Sequence, residues 1–411
     1  MRATDSVLVR LEARSFAVLL SAVFMVSLGY GLLLPALPAL LAQTLGNASE
    51  SAIGRHTGAL TGVYLIAVFV FSPLWGAISD RAGRKRVILF GIAGYLLSLS
   101  LLSFGDAVWF IYFSRTLSGA FASAVLPVVA AYVSDGSAGP TRVRWFALVS
   151  GATLGGFLVG PALFGLFPWD DTAISAAATT STLAPRTFPF AVSAALGIPL
   201  WIAGYRLLPN TIAAPPSHYK EREPWNRSLL PVLVLSVLVT FGLGSFEVGI
   251  ALQGRNAMDL SPARISLMFV ECSVVMAIVQ AVLYFQPSSH NRPQRHGLAP
   301  AFLAMAVGFA LLSIAPGYLT MLVAVALIAG ASGALLPVLA HLASLRSAHH
   351  AGAVLGIQAA ASSLGQAIGS IAGGWLFGTL ASSSFWITAV IMLAASIAAR
   401  ASKVSLASQS R

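Results

Sequence analysis

The chain has very little charge for its length. Charged residues make up 9% of its 411 residues, whereas 57% are hydrophobic and the mean hydropathy is +0.84. A soluble domain carries about 25% charged residues, and so few charges could not cover a water-exposed surface of this size. A protein whose exterior lies mostly in lipid needs no such cover. The composition therefore excludes a water-soluble fold and indicates an integral membrane protein.

Signals of several other protein classes are also missing. The single cysteine, Cys272, excludes an intramolecular disulfide. The sequence has no Walker loop, no HExxH, no CxxC and no paired-carboxylate signature in a soluble domain. We therefore expect no enzymatic activity, no metal and no cofactor, and no ATP-binding module to drive pumping. The net charge of +11 lies in short segments between apolar runs, which fits membrane topology better than a nucleic-acid partner.

What the sequence does contain is a series of long apolar runs. A spanning helix needs roughly 20 apolar residues. Twelve runs meet this requirement: 15–42, 57–79, 87–105, 107–134, 143–167, 187–208, 229–253, 263–286, 298–316, 318–344, 352–379 and 383–400. The hydrophilic segment 209–228, with PPSHYKEREPWNR, separates six runs from six and is predicted to be a linker. The sequence thus predicts an all-α membrane fold with six-helix bundles at 1–208 and 229–411.

The distribution of Lys and Arg predicts the orientation of these spans. Most of the Lys and Arg residues fall in segments on the same side of the membrane as the N-terminus. Such basic segments are typical of the cytoplasmic side. We therefore expect both termini and the linker to be cytoplasmic. The first run is too long for a signal peptide and is predicted to be a retained span.

Three pairs of short motifs repeat between the two halves. LPVVA (126–130) matches LPVLA (336–340), and VSLGYG (26–31) matches VTFGLG (239–244). The third pair consists of glycines at equal positions of the fifth and eleventh runs: Gly156, Gly160 and Gly165, with Gly365, Gly369 and Gly374. Repeats are the mark of many transporter folds. The matches predict a duplicated six-helix unit whose copies are parallel.

The stretch GAISDRAGRKR, between the second and third runs, concentrates charge in a chain that has little. It resembles the loop signature G-x-x-x-D-R-x-G-R-[RK] of the major facilitator superfamily. The matching positions are Gly76, Asp80, Arg81, Gly83, Arg84 and Lys85. The resemblance implies a cytoplasmic latch between the halves that stabilises the outward-open state, rather than only a positively charged loop. We expect Gly76 to allow close helix approach and Gly83 to permit a tight turn. Asp80 is expected to accept hydrogen bonds from the cations or from a helix N-terminus across the gap.

Two further motifs resemble those of twelve-helix drug:proton antiporters. They are LGYGLLLPALP (28–38) and GFLVGPALFG, which supplies Gly156, Gly160, Pro161 and Gly165. RTLSGAFA, with Arg115 and Gly119, resembles the fourth-helix motif R-x-x-x-G of the superfamily. GFLVGPALFG departs from the antiporter motif at Phe164, where the motif has a glycine. The resemblance to the antiporters implies export across a bacterial inner membrane. Small residues four apart are also ordinary packing devices in membrane helices.

Three ionisable residues are predicted to lie well inside the spans: Arg115, Glu247 and Glu271. A charge at a helix centre costs at least ~2.5–3.5 kcal/mol, so each is a candidate for proton coupling. The two acids are expected to share a depth in the outer half. The alternatives are that Arg115 snorkels towards the interface and that the acids are hydrated. The first span has no acid, unlike many tetracycline-type antiporters, which places the predicted proton site in the second half.

Other polar or aromatic residues of the spans could line a central cavity. The candidates are Tyr30, Tyr64, Gln280, Gln358, Ser362 and Gln366. Gln358, Ser362 and Gln366 recur every four residues and so share one helix face. A hydrogen bond between helices is the alternative role for each.

These observations predict a monomeric secondary transporter working by alternating access, with a small-molecule substrate, protons and the lipid bilayer as its partners. The leading function is proton-coupled export of small amphipathic molecules. Uptake or facilitated exchange of a metabolite is the alternative, and a membrane receptor or enzyme is a remote one. The sequence leaves the substrate open.

Overall fold

The computed structural model describes residues 13–46, 48–102, 107–137, 139–166, 188–209, 229–285, 297–315, 317–345 and 351–401. Within these ranges the regular structure is entirely helical. The helices are α1 (Ala13–Leu45), α2 (Glu50–Ala82), α3 (Arg84–Leu101), α4 (Val108–Asp135), α5 (Gly139–Gly165), α6 (Phe188–Leu207), α7 (Leu230–Asn256), α8 (Pro262–Phe285), α9 (Leu298–Ile314), α10 (Tyr318–Leu345), α11 (Ala351–Leu380) and α12 (Ser384–Ala401). A 3₁₀ turn, Ala381–Ser383, joins the last two. The predicted linker, 209–228, lies outside the described residues except for residue 209.

The predicted all-α fold class is confirmed, and each predicted run corresponds to one helix. The largest difference is at α2, which begins at Glu50 rather than at residue 57. Ser49 caps this helix, because its Oγ accepts a hydrogen bond from the Ala52 N–H at 3.3 Å. The added first turns contain Arg55 and His56, so the apolar run alone could not show them.

Most of the described helices have the length and composition of membrane spans. Among the described residues, eight stretches are long and apolar enough to cross a bilayer, and one of them, Val354–Arg400, covers most of α11 and α12. The shorter α9 is apolar as well. Large apolar side chains, such as Trp109 and Leu319, are exposed on the helix surfaces. These exposed faces suit a lipid environment.

The chain divides into two compact units, each made of several stretches. The first contains 1–33, 67–160 and 168–221, and the second contains 34–66, 161–167 and 222–411. In the first unit α3 packs against α4 and α6. In the second, α7 packs against α11, and α9 against α10 and α12. The switch at residue 222 falls within the predicted linker, and the division at 1–208 and 229–411 stays a prediction.

The glycine motifs that repeat in the sequence make equivalent contacts in the structure. In the first unit, a Cβ added at Gly156 of α5 would lie 2.6 Å from the Phe24 carbonyl oxygen of α1. In the second unit, a Cβ at Gly369 of α11 would collide with the Phe241 carbonyl oxygen of α7. Both helix pairs thus approach so closely that only glycine fits. The pair α1–α5 is repeated as α7–α11, as the duplication predicts.

Candidate functional site

The clearest buried polar pair joins α7 and α11. Gln366 Nε2 donates hydrogen bonds to both carboxyl oxygens of Glu247, at 2.9 and 3.0 Å. Both side chains are half-buried. Gln366 lies between Gly365 and Gly369, whose backbones contact α7 directly. The glycines therefore bring the amide within reach of the carboxyl group and hold it there.

The second predicted acid, Glu271, lies in α8, a helix that packs against α7. It immediately precedes the buried Cys272. Its Oε2 is buried and makes no hydrogen bond within the part of the chain that the structure describes. The second unit therefore gathers two carboxyl groups, one with an amide partner and one with an open acceptor.

Arg115 of α4 lies in the first unit and is only 1% exposed. Its guanidinium carbon lies 5.8 Å from the ring centroid of Tyr30 in α1, within range of a cation–π interaction. The Tyr30 ring in turn packs edge-on against Phe157 of α5, at 5.6 Å between centroids. This burial contradicts the alternative in which Arg115 snorkels to the interface. The structure thus places Arg115 in contact with Tyr30, whereas the sequence predicted the two residues as separate candidates.

The remaining cavity candidates have mixed surroundings. Gln358 is buried, and its Nε2 donates to Ser236 Oγ of α7 at 3.3 Å, which is the helix–helix bond expected as its alternative role. Tyr64 is buried in α2, whereas Gln280 and Ser362 are half-buried. Since Gln358 and Gln366 both bond to α7, the polar face of α11 is turned towards that helix.

The charged stretch GAISDRAGRKR covers the end of α2, Gly83 and the start of α3, and it forms a compact network in the first unit. Gly83 has φ +94°, so it makes the tight turn expected of it. Arg84 Nη1 lies 2.6 Å from Asp80 Oδ1, and Arg84 Nε donates to Asp135 Oδ2 at 3.1 Å. Asp80 therefore accepts from a cation of the same charged stretch, as expected. Arg81 is exposed, and Lys85 Nζ donates to the Tyr205 carbonyl oxygen at 2.7 Å.

Asp135, at the end of α4, is not among the predicted site residues, although it pairs with Arg84. The one signal for it in the sequence is that acidic residues are rare, with only 13 in the chain.

The packing role expected of Gly76 is not seen in this structure. A Cβ added there would meet no described atom within 4 Å. The neighbouring Trp75 spans the gap to α4 instead, because its Nε1 donates to the Ala120 carbonyl oxygen at 2.8 Å. Close helix approach therefore does not account for Gly76 here.

The residues of the predicted antiporter motif act as packing points. A Cβ at Gly160 would lie 2.5 Å from the Leu28 carbonyl oxygen in the first unit. A Cβ at Gly165 would lie 2.8 Å from Ser266 Cβ of α8 in the second unit. Pro161 and the departing Phe164 are buried. The contacts agree with the packing interpretation of the motif.

The second unit also contains a glycine interface between α2 and α11. A Cβ at Gly58 would lie 2.8 Å from Gly374 Cα, and one at Gly374 would lie 2.7 Å from Gly58 Cα. Gly54 and Gly378 extend the interface by one turn. The spacing of four between Gly54, Gly58 and Gly62 is a signal in the sequence for this packing.

A hydrogen bond ties α7 to α1 within the same unit. Half-buried Arg255 donates from Nη1 to the Pro38 carbonyl oxygen at 2.6 Å. No pattern in the sequence indicates this bond, because its acceptor is a backbone atom.

The family model "Major Facilitator Superfamily" matches residues 19–285. This is more than half of the chain, and the protein belongs to the Major Facilitator Superfamily, a family of membrane transporters.

Relatives and solved structures agree with this placement. The chain is 26% identical over 375 residues to multidrug resistance protein 2 of Bacillus subtilis (strain 168), covering 88% of each sequence. It is 32% identical over 153 residues to the class H tetracycline resistance protein of Pasteurella multocida, covering 37% of each. The fold matches that of a D-xylose–proton symporter with a TM-score of 0.72 and 18% identity, covering 93% of this chain and 96% of the other.

Proposed function

We propose that the protein exports small amphipathic molecules from the bacterial cytoplasm across the inner membrane in exchange for protons. The observation that carries this proposal is that two carboxyl groups, Glu247 and Glu271, lie on the packed apolar helices α7 and α8 of the second unit. Ionisable groups at membrane depth are costly and are generally functional. Relatives named for multidrug and tetracycline resistance support export as the direction.

Glu247 is the proposed proton carrier. Its carboxyl group would bind a proton when its site opens to the outside and release it when the site opens to the cytoplasm. Gln366 suits this role, because an amide N–H can bond to a carboxylate and to the carbonyl oxygen of the protonated acid. The amide therefore holds the side chain in place in both states. Glu271, with its open acceptor oxygen, would serve as a second site for a proton or for a polar group of the substrate.

Arg115 would supply a fixed positive charge in the first half. An arginine stays protonated under all physiological conditions, so it cannot itself carry the proton. Its stacking on Tyr30 fixes the position of this charge beside another candidate cavity residue. A fixed cation favours the charged form of a carboxyl group or substrate group that approaches it.

Transport requires that the close helix contacts of the second unit separate. The interface of α2 with α11 is built mainly of glycines, with the Ile371 side chain of α11 against Gly62 of α2. Such an interface can part with little repacking of side chains. Alternating access would proceed by rocking of 1–208 against 229–411, with the Arg84 network securing the loop on the cytoplasmic side.

Everted membrane vesicles test the function directly. Accumulation of ethidium, tetracycline and D-xylose would be measured with the proton gradient intact and after its collapse by an uncoupler. The proposal predicts accumulation of at least one of the two drugs, dependent on the gradient, and none of the sugar. Accumulation of xylose alone, or transport that is indifferent to the uncoupler, would support uptake or facilitated exchange instead.

Two variants test the position of the proposed proton site in the same vesicle assay. Glu247→Gln should abolish gradient-driven accumulation, and Glu271→Gln should reduce it. Glu50→Gln serves as the control, because Glu50 is exposed in the first turn of α2. The proposed proton site is wrong if Glu247→Gln and Glu271→Gln are both as active as the control.

A further inference from the structure

The beginning of α3 and the end of α6 lie side by side in the first unit. Lys85 Nζ donates to the Tyr205 carbonyl oxygen at 2.7 Å. One turn further into the helices, Trp201 Nε1 donates to the Leu89 carbonyl oxygen at 3.0 Å. Gly204 makes this contact close, since a Cβ there would lie 2.9 Å from Leu89 Cδ2. The two helix ends are therefore fixed at the same level.

Basic side chains surround this junction. The Lys85 ammonium lies 5.5 Å from the centroid of the Tyr205 ring. Arg86 and Arg206, which follow these two residues, are exposed and make no hydrogen bond or ion pair with any described residue. Arg14 is exposed beside Ser15, whose Oγ donates to the Leu207 carbonyl oxygen at 2.9 Å. Cationic groups are thus concentrated at one end of this helix pair.

Within the described residues, the acidic groups of this region are bonded elsewhere. Asp80 and Asp135 both form ion pairs with Arg84. Neither forms an ion pair with Lys85, Arg86 or Arg206. Among the described residues, these three cations (the basic cluster) therefore have no acidic partner, and an external anion can bind them.

Below the basic cluster, the same two helices expose apolar and aromatic side chains. The rings of Trp201 and Tyr205 stack, with centroids 5.9 Å apart and an interplanar angle of 11°. Tyr205 is 63% exposed, and Phe90 and Leu97 of α3 are 56% and 59% exposed. Exposed Trp and Tyr are typical of the level of lipid headgroups, and apolar side chains of the acyl-chain region. The surface thus combines an anion-binding end with a lipid-compatible length.

We propose that the ends of α3 and α6 form a binding site for an anionic phospholipid of the cytoplasmic leaflet. Lys85, Arg86 and Arg206 hold the phosphate, while Trp201 and Phe90 line the upper part of the acyl chain. The headgroup stays at the basic end because the exposed surface below it is apolar. A soluble phosphate would use the cations but would leave the apolar face without a role. The leaflet assignment rests on the proposed orientation of the protein, whereas the binding itself does not.

Native mass spectrometry of the purified protein in detergent tests this site without measuring transport. Palmitoyl-oleoyl phosphatidylglycerol and the phosphatidylcholine with the same chains would be titrated separately. The site predicts that phosphatidylglycerol binds at least tenfold more tightly. The double variant Arg86→Gln/Arg206→Gln should bind phosphatidylglycerol roughly 30-fold more weakly, since each basic residue near an anionic lipid contributes about 1 kcal/mol. Both side chains are exposed and unbonded, so the variant should fold normally.

The matched control is Arg144→Gln/Arg400→Gln, which removes two exposed basic residues from α5 and α12. The control should bind phosphatidylglycerol as the unmodified protein does. Equal loss in both double variants would mean that only net charge matters and would overturn the site. Equal binding of the two lipids would overturn it as well. Displacement of the lipid by millimolar inorganic phosphate would identify a soluble-anion site instead. Because none of these results depends on transport, a failure here is distinct from a failure of the exporter assay.

Discussion

The helix pairs α1–α5 and α7–α11 share one packing scheme but carry different chemistry. Aligning VSLGYG with VTFGLG places Leu34 of α1 at the position of Glu247 in α7. Aligning the glycines of α5 and α11 places Phe157 at the position of Gln366. Phe157 packs against the Tyr30 ring, whereas Gln366 bonds to Glu247. The first half therefore has an aromatic contact where the second has a carboxyl–amide pair.

The opposite asymmetry occurs between α4 and α10. The matching LPVVA and LPVLA motifs place Val325 at the position of Arg115, and both side chains are fully buried. The first half thus carries the buried cation and the second half the acids. A duplicated scaffold needs conserved glycine contacts in both copies, while a proton site needs to be built only once. The comparison teaches that the packing residues are symmetric and the candidate functional residues are not.

The largest expected effect comes from breaking the shared packing. Gly160→Leu and Gly369→Leu should each destabilise the fold by about 3 kcal/mol or more, because a side chain would collide with the backbone of α1 or α7. Thermal unfolding in detergent measures this loss. Gly151→Leu and Gly356→Leu are matched controls in α5 and α11, since a Cβ at either position meets nothing within 4 Å. If Gly369→Leu is as stable as Gly356→Leu, the helices do not pack as described.

Two cross-links in the second unit, one between α2 and α11 and one between α5 and α8, should each stop transport while leaving the fold intact. With Cys272 replaced by Ala, the pairs Ser51→Cys/Gly378→Cys and Gly165→Cys/Ser266→Cys place cysteines at direct contacts. Oxidation should block transport by both pairs, and a reductant should restore it, because the contacts must open in each cycle. Vesicle transport before and after reduction is the measurement, with single-cysteine variants as controls. Undiminished transport by either oxidised pair would show that the corresponding contact stays closed throughout the cycle.

Replacing Arg115 should have a smaller effect that separates charge from geometry. Arg115→Lys keeps the cation but loses the planar group that stacks on Tyr30. Turnover should fall about tenfold, which corresponds to the ~1–2 kcal/mol of a buried cation–π contact. Val325→Leu, at the equivalent place in α10, should affect stability but not the proton dependence of transport. Full turnover with lysine would show that only the charge matters.

The smallest effect is expected at the loop network of the first unit. Asp135→Asn removes one of two acidic partners of Arg84. Because the Asp135 side chain is about half exposed, the loss should be within about 0.2–1 kcal/mol of unfolding free energy. Arg84→Gln, which removes both ion pairs, should cost more. A thermal shift series of the two variants checks this order, and a larger loss for Asp135→Asn would contradict the network.

The helices and the duplicated framework could be predicted well from the sequence. Apolar runs indicate segments that lie in lipid, and repeated glycines indicate where two helices pack closely. Glu247 and Gln366 were also predicted, but as separate candidates. Their pairing depends on the rotation of α7 against α11, which no local pattern specifies. Asp135 and the acceptor at Pro38 were missed for a similar reason: their partners lie far away in sequence, and one acceptor is a backbone atom.

The most direct test of the proton site is proton release on substrate binding by the purified protein in weakly buffered detergent solution. A pH-indicator dye would follow the release when a drug that passes the vesicle assay is added. We predict that the unmodified protein releases protons, whereas Glu247→Gln binds the drug but releases none. A Glu247→Gln variant that binds the drug and releases as many protons as the unmodified protein would contradict the assignment of the proton to this side chain.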